Sequence, residues 1–500
     1  MRSWRLTLAL ILLATHALGA FGGVARAADA IVIGVEADLL SEDPARAVRN
    51  QVSDLVFSYV YEAFFTPFPG IDGGYQPGLA TLGTRPLPRR WEFDLASQHY
   101  LDTGVEVTAD HLTEALLRLV DPMVGGAGLP ANERIGTVTA VESLAADRLV
   151  FTLAASSPNL PTLLAREWIA IPHEAGNLMG TGPYRFESWD RGNRVLLTAR
   201  DPKAEPYYRL AFEVIPSAAA RLEAFRTGRV HVLSHVSQSQ IVGLRSQNDV
   251  NLLLTPSTQT FFLEFNTRRP PFDDPRVRRA VALAINVPAA LWEANSGVGY
   301  PIGTIVSPAT FGYDPSLEPY AYDPDEAKRL LAEAGYPYGF EVEFDFLPHR
   351  AEIARIYADM LSEIGIGVHL REWPNWTTLR SELREGDRLV WTGEWDNTSQ
   401  DPGGVLWAKV GTDGSANYGG YSNAIVDRLL VQADQAGTIE ERLAKVQEIQ
   451  RVLWEDTAMV FEYVVEDVWA VRGPAIDWQP PFRLVRRLPD SYSSGTDYFP

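Results

Sequence analysis

Cysteine is absent from all 500 residues. That excludes disulfides, thiolate metal sites and cysteine nucleophiles, and it leaves no thiol to carry a lipid anchor. Lysine is nearly absent, with only Lys203, Lys328, Lys409 and Lys445. The common catalytic signatures are missing too: no G-x-S-x-G elbow, H-E-x-x-H, P-loop or EF-hand loop occurs. Beyond the N-terminal stretch no apolar run reaches the ~20 residues a membrane span needs. No N-terminal helix-turn-helix pattern, no repeat and no low-complexity tract is found, which argues against a DNA-binding regulator. Positive charge is in deficit, since 44 Lys+Arg face 64 Asp+Glu for a formal charge of −20. A surface of that sign repels nucleic acid and anionic lipid and favours solubility.

What is present is ample core material, 46% hydrophobic against 22% charged residues. Five hundred residues exceed what one core usually serves, so two or three domains are expected. Arg2 and Arg5, the apolar run Leu6–Leu18 and Ala25-Arg26-Ala27 read as a cleaved signal peptide over residues 1–27. Its removal leaves 41 basic against 64 acidic residues, a net charge of −23. Export without an anchor points to a periplasm.

Ile31–Val35 reads as a first β-strand, and Ser53–Phe65 carries apolar residues at helical spacing. Trp91–Leu95 alternates as a strand. Thr108 or Asp110 caps a helix that begins at His111. Thr139–Ala154 reads as a hairpin, and Gly180-Thr181-Gly182-Pro183-Tyr184 as a tight turn feeding a strand. His231 and His235 are four apart, but β-branched neighbours imply strand or loop, where they would not converge on a metal. The stretch Thr260–Asn286 organises the rest. An apolar run, Phe261–Phe265, breaks at Thr267–Pro271. Asp274-Pro275 then starts a helix with Val277, Ala280, Val281 and Ala284 on one face and Arg276, Arg278 and Arg279 on the other flank. Asp323-Pro324 opens a further helix, ended by Gly335. Thr392–Gly404 reads as a long polar, aromatic loop.

Four of these stretches resemble, in order, the motifs of bacterial ABC-transporter solute-binding proteins of family 5, the dipeptide, oligopeptide and nickel receptors. They are Tyr75–Ala80 with Tyr100–Asp110, the G-T-G-P-Y run, the F-N…P-F-x-D-x-R-V-R crossover at Phe265–Ile285, and Tyr322–Tyr336. His231 departs from an expected aspartate. The resemblance implies an α/β, two-lobed periplasmic-binding-protein-like fold (type II, large peptide-receptor cluster) with crossing hinge strands. Lobe I would cover residues 28–262, with 472–500 returning to it, and lobe II residues 263–471.

Trp391-Thr392-Gly393-Glu394-Trp395-Asp396 with Asp401-Pro402 resembles the family's W-x-x-D-x-x-D-P loop, whose first aspartate pairs with a peptide ammonium. That role falls to Asp396 or Glu394, because extra residues precede Asp401. Arg350, or Arg355 a turn later, matches the arginine that holds the peptide carboxylate. Trp373, Trp391, Trp395, Asn417, Tyr418 and Tyr421 would line the same cleft. The expected function is the periplasmic receptor of an ABC importer, a monomer without cofactor, metal or nucleic acid partner, passing a di- or oligopeptide to an inner-membrane permease. A non-peptide solute (nickel chelate, haem, opine or oligosaccharide) is the alternative. An enzyme reading, a secreted glycosidase with paired carboxylates in a tryptophan-lined cleft, has no particular pair to name.

Overall fold

The computed structural model describes residues 30–47, 50–66, 72–121, 124, 135, 137–173, 177–481 and 485–488. The expected signal peptide and the final twelve residues of the tail lie outside them. Two long antiparallel strands, Val250–Phe265 and Met459–Arg472, occupy the middle of a sheet of twelve strands among the described residues. Beside the first lie Val390–Asp396, Phe340–Phe346 and Ile366–Glu372. Beside the second lie Val232–Leu233, Ile31–Val35, Arg209–Val214, Arg194–Ala199 and Tyr184–Asp190.

The register of the long pair breaks midway. Val250–Pro256 face Arg472–Glu466, Thr260–Glu264 face Val464–Met459, and Ser257-Thr258-Gln259 bulge between them. Pro256 has no N–H to donate, and an extra residue bends the strand that carries it. The strands change cores at this point. Leu252 and Leu254 pack with Phe225, Ile241, Leu244 and Val468. Phe261, Phe262, Leu263 and Phe265 enter the large core formed by Val277, Phe344, Tyr357 and Val460. The molecule is thus an α/β protein of two lobes strung on one pair of strands.

In the first lobe Ile31–Val35 lies parallel to both its neighbours, and Ile31 and Ile33 are fully buried. A strand covered on both faces reads as an unbroken apolar run. The helix Gln51–Val60 starts at Asn50, whose carboxamide accepts from Ser53 N–H at 2.8 Å while Ser53 returns a bond. Its far end explains the G-T-G-P-Y motif. A Cβ on Gly180 would stand 1.9 Å from the Val60 carbonyl, and one on Gly182 2.7 Å from that of Tyr59. These glycines permit close approach, beyond the turn that the sequence suggested.

A second sheet, of Ala80–Leu87, Arg90–Leu95, Arg148–Leu153 and Val138–Ala145, packs with the helix Ala109–Val120 around Phe64, Phe65, Trp91, Phe93 and Phe151. This unit also touches lobe II. Tyr75 stacks on Phe311 at 4.4 Å, and Arg85 donates to the carbonyl of Asp434 at 2.7 Å.

Two local readings change. Arg278 does not sit on an exposed flank: it is buried, donating to the carbonyls of Thr457 and Phe272 at 2.9 Å and of Asp456 at 2.8 Å. The loop expected over Thr392–Gly404 is mostly regular. Its first half belongs to the strand Val390–Asp396, which pairs with Gln259–Phe265, and its end to the helix Pro402–Val410.

Candidate functional site: the cavity at the strand bulge

Beside the bulge lies a cavity of about 360 Å³ with walls from both lobes. Asn50, Gln51 and Asp54 come from the start of the helix Gln51–Val60, and Arg166 and Trp168 from the end of the helix Leu160–Arg166. Thr255, Pro256, Ser257, Thr258 and Asp467 come from the crossing strands, and Ala309, Thr398 and Gln400 from lobe II loops. This volume suits a small solute. A larger hollow of about 760 Å³ lies wholly in the first lobe and its attached unit. Two of its acids are already paired, Asp43 with Arg118 at 2.6 Å and Asp102 with Arg200 at 2.6 Å. The smaller cavity is shared between the lobes.

Its polar walls carry both signs of charge. Asp54 accepts from the Trp168 indole at 3.0 Å, and Arg166 donates across to the Ser399 carbonyl at 3.4 Å. Asp467 accepts from the Gln51 amide at 3.2 Å. Burial pushes the Asp467 carboxyl above the usual range; nearby His235 opposes that rise and Glu36 adds to it. His235 and Glu36 meet at 3.1 Å. Burial disfavours charge on His235, but the hydrogen bond and charge of Glu36, with help from Asp467, outweigh it and raise its pKa. His231 does something else: its Nδ1 accepts from Val32 N–H at 3.1 Å, and burial lowers its pKa. The two histidines share no ligand among the described residues. His111 serves the capping of its own helix, accepting from Thr108 N–H at 3.2 Å.

The residues expected from sequence are dispersed. Arg350 is buried; it donates to Glu462, meets the Tyr463 hydroxyl at 2.5 Å, and lies 4.4 Å over the Phe261 ring. Its charge is already spent. Arg355 is tied to Glu352 at 2.7 Å on the surface. Trp391 is core, packed with Leu347, Leu379 and Leu383; Trp373 and Tyr418 lean on the same cluster. The Trp373 indole donates to Asp345 at 2.7 Å. Asn417 closes a loop by accepting from Tyr421 N–H at 3.0 Å and donating to the Tyr421 carbonyl at 2.7 Å. The Tyr421 ring sits in the lobe II core, with Trp395 against that core's edge. Glu394 meets His349 at 2.8 Å. Asp396 alone reaches the cavity wall, accepting from Thr258 at 3.0 Å. Asp401 is structural: it is bidentate to Arg442 at 2.8 and 2.9 Å and accepts from Thr162 at 3.0 Å.

Sequence reasoning passed over Asp54, Trp168, Gln400 and Asp467. For Asp467 a signal exists, because Glu462, Glu466 and Asp467 interrupt a largely apolar, β-branched strand, and acids in such a place need a reason.

Fold and cavity together define a two-lobed α/β protein of the periplasmic-binding-protein-like fold. The model of "Bacterial extracellular solute-binding proteins, family 5 Middle" matches residues 74–417, and the chain belongs to that family. Heme-binding protein A of Haemophilus influenzae is 25% identical over 55% of this chain and 52% of its own length, so the chain spans about half of that relative. The "Probable D,D-dipeptide-binding periplasmic protein DdpA" of Escherichia coli is 26% identical over 92% of each chain. The unliganded open form of the periplasmic murein tripeptide-binding protein MppA superposes with a TM-score of 0.72 at 20% identity, covering 91% of this chain and 95% of that one.

Proposed function

We propose that this chain is the solute receptor of an ABC importer, that it works in the periplasm as a monomer, and that it carries a small peptide to an inner-membrane permease. Family membership supports the receptor reading, and a relative named for D,D-dipeptides that matches nearly end to end favours a peptide over haem. The observation that carries it is the cavity at the bulge, walled from both lobes and bearing carboxylates, a guanidinium and an indole. A zwitterion with an amide backbone fits such walls. The lobe boundary in this reading is the bulge Ser257–Gln259, a few residues before the boundary at 262/263 expected from sequence. Closure about it would bury the guest, with capture and release but no bond-breaking. No helix among the described residues is long and apolar enough to cross a membrane.

The test is thermal unfolding with di- and tripeptides, haem and nickel chelates in parallel. Ligand bound only by the folded state raises the midpoint as the logarithm of its concentration above Kd. Stabilisation by peptides without their hydrolysis supports the proposal; steady release of amino acids overturns it. A rise with haem or nickel alone would move the reading to a non-peptide solute.

A further inference from the structure

We infer that Asp467 is the counter-charge for an ammonium group of the ligand, seated on the first-lobe side of the cavity; this rests on reading that cavity as the ligand site. The evidence is a contrast among acids. Four buried carboxylates hold a cation of their own: Glu264 has Lys409 at 2.7 Å, Asp314 has Arg451 at 2.9 Å, Asp401 has Arg442 at 2.8 Å, and Glu466 has Arg486 at 2.8 Å. Asp467 lines the cavity, and among the described residues no arginine or lysine pairs with it; the Gln51 amide at 3.2 Å is its recorded hydrogen bond. Asp467 is half-buried, and a partly desolvated carboxylate without a cation is stabilised by a charge that arrives to neutralise it. His235 does not close the account. It is engaged by Glu36, so Glu36, His235 and Asp467 together stay negative even when the imidazole is charged. Arg221, the nearby guanidinium, donates to the carbonyls of Ile215 and Pro216 at 2.8 and 2.9 Å.

A second feature of the same wall asks for a donor. The Gln400 amide oxygen, on the lobe II side, is buried without a hydrogen-bond partner among the described residues. An unfilled buried acceptor costs about 1–3 kcal/mol. An ammonium group offers three N–H donors, more than Asp467 alone takes up. Asp54 on the same wall adds to the negative field, while Arg166 marks the cavity as bipolar.

The experiment uses the whole mature protein, a casein hydrolysate of di- and tripeptides, and the same hydrolysate after exhaustive N-acetylation. Thermal unfolding and native mass spectrometry read the binding. Wild type should bind the free hydrolysate at least tenfold more tightly than the acetylated one. Asp467→Asn, close to isosteric, should lose at least tenfold for the free peptides and cease to distinguish the two preparations. Equal binding of both preparations by wild type overturns this inference while leaving the receptor reading intact, and that comparison needs no variant to fold. Loss in Asp396→Asn with none in Asp467→Asn also overturns it, returning the ammonium site to the lobe II strand. If wild type binds neither preparation, the peptide-receptor reading fails and this inference falls with it.

Discussion

Glu462 and Asp467 stand five residues apart on one strand, and they are treated in opposite ways. Glu462, below the bulge in lobe II, is fully buried and provided for: Arg350 donates to it and the Tyr357 hydroxyl adds a bond at 3.0 Å. Asp467, past the bulge, faces a cavity with an amide for company. An interior that needs rigidity compensates its charges at once. A wall that must take a guest leaves one open. The contrast separates structural acids from candidate binding acids better than sequence position does.

The largest expected effect breaks the satisfied member. Glu462→Ala should cost about 3–5 kcal/mol in urea unfolding, because Arg350 is left buried and unpaired. Replacing both partners by methionine should recover most of that loss. If Arg350→Ala instead left stability within about 0.5 kcal/mol and abolished peptide binding, Arg350 would be a ligand residue after all and the contrast would collapse.

That outcome bears on what was legible in the chain. The strand Ile31–Val35, the hairpin in the attached unit, and the caps at Thr108, Asp274 and Asp323 follow from short-range chemistry. So does the fold, through motifs that are mostly packing devices: Gly180 exists to clear Val60. The site was hardly legible. Charge and aromaticity at Trp391–Asp396 look like a binding loop, but that run is a strand paired with Gln259–Phe265, which sends Trp391 inward. Arg350 looks like a clamp until Glu462, 112 residues later, is found beside it. Partners that distant in sequence leave no local trace. For the same reason Gln51 and Asp467, 416 residues apart, did not stand out as neighbours.

The unsatisfied member should respond with the opposite sign. Burial raises the Asp467 pKa, so the folded state holds its proton more tightly than the unfolded chain. Such a group costs stability once pH exceeds its raised value, and the cost fades as pH falls through it. Asp467→Asn should therefore stabilise the ligand-free protein at pH 7.5, by about 0.5–2 kcal/mol, as substitutions that relieve binding sites commonly do. The gain should shrink toward pH 4. A loss of stability at pH 7.5 would show that Asp467 already has an adequate partner.

Asp401 offers an intermediate case, paired with Arg442 and also bound by Thr162 from the attached unit. Thr162→Val should cost about 1–3 kcal/mol, because it loses two hydrogen bonds, to Asp401 and with the Tyr75 hydroxyl, while the ion pair stays in place. A cost near that of Glu462→Ala would mean that the contact between the attached unit and lobe II holds Arg442 and Asp401 together. Satisfied acids would then depend on lobe arrangement.

The smallest effect concerns the charge beside the open acid. His235 faces Glu36 at 3.1 Å, with Asp467 and Arg221 within electrostatic reach and the Trp469 ring at 5.9 Å. Its pKa is raised on folding despite burial, so its contribution is complete below the unfolded value of ~6.5 and is lost as pH climbs through the folded one. Wild type should lose stability across that window, and His235→Gln should lose less. His99, held by Glu62 at 2.8 Å, is raised in the same direction, so part of the slope must survive the substitution. Comparing unfolding midpoints at pH 6 and pH 8.5 for both proteins reads the difference, expected at a few tenths of a kcal/mol, the scale of an exposed pair. An unchanged slope would mean that Glu36 does not hold the imidazolium. His235 would then stand free to neutralise Asp467, and the cavity's open charge would be filled from within.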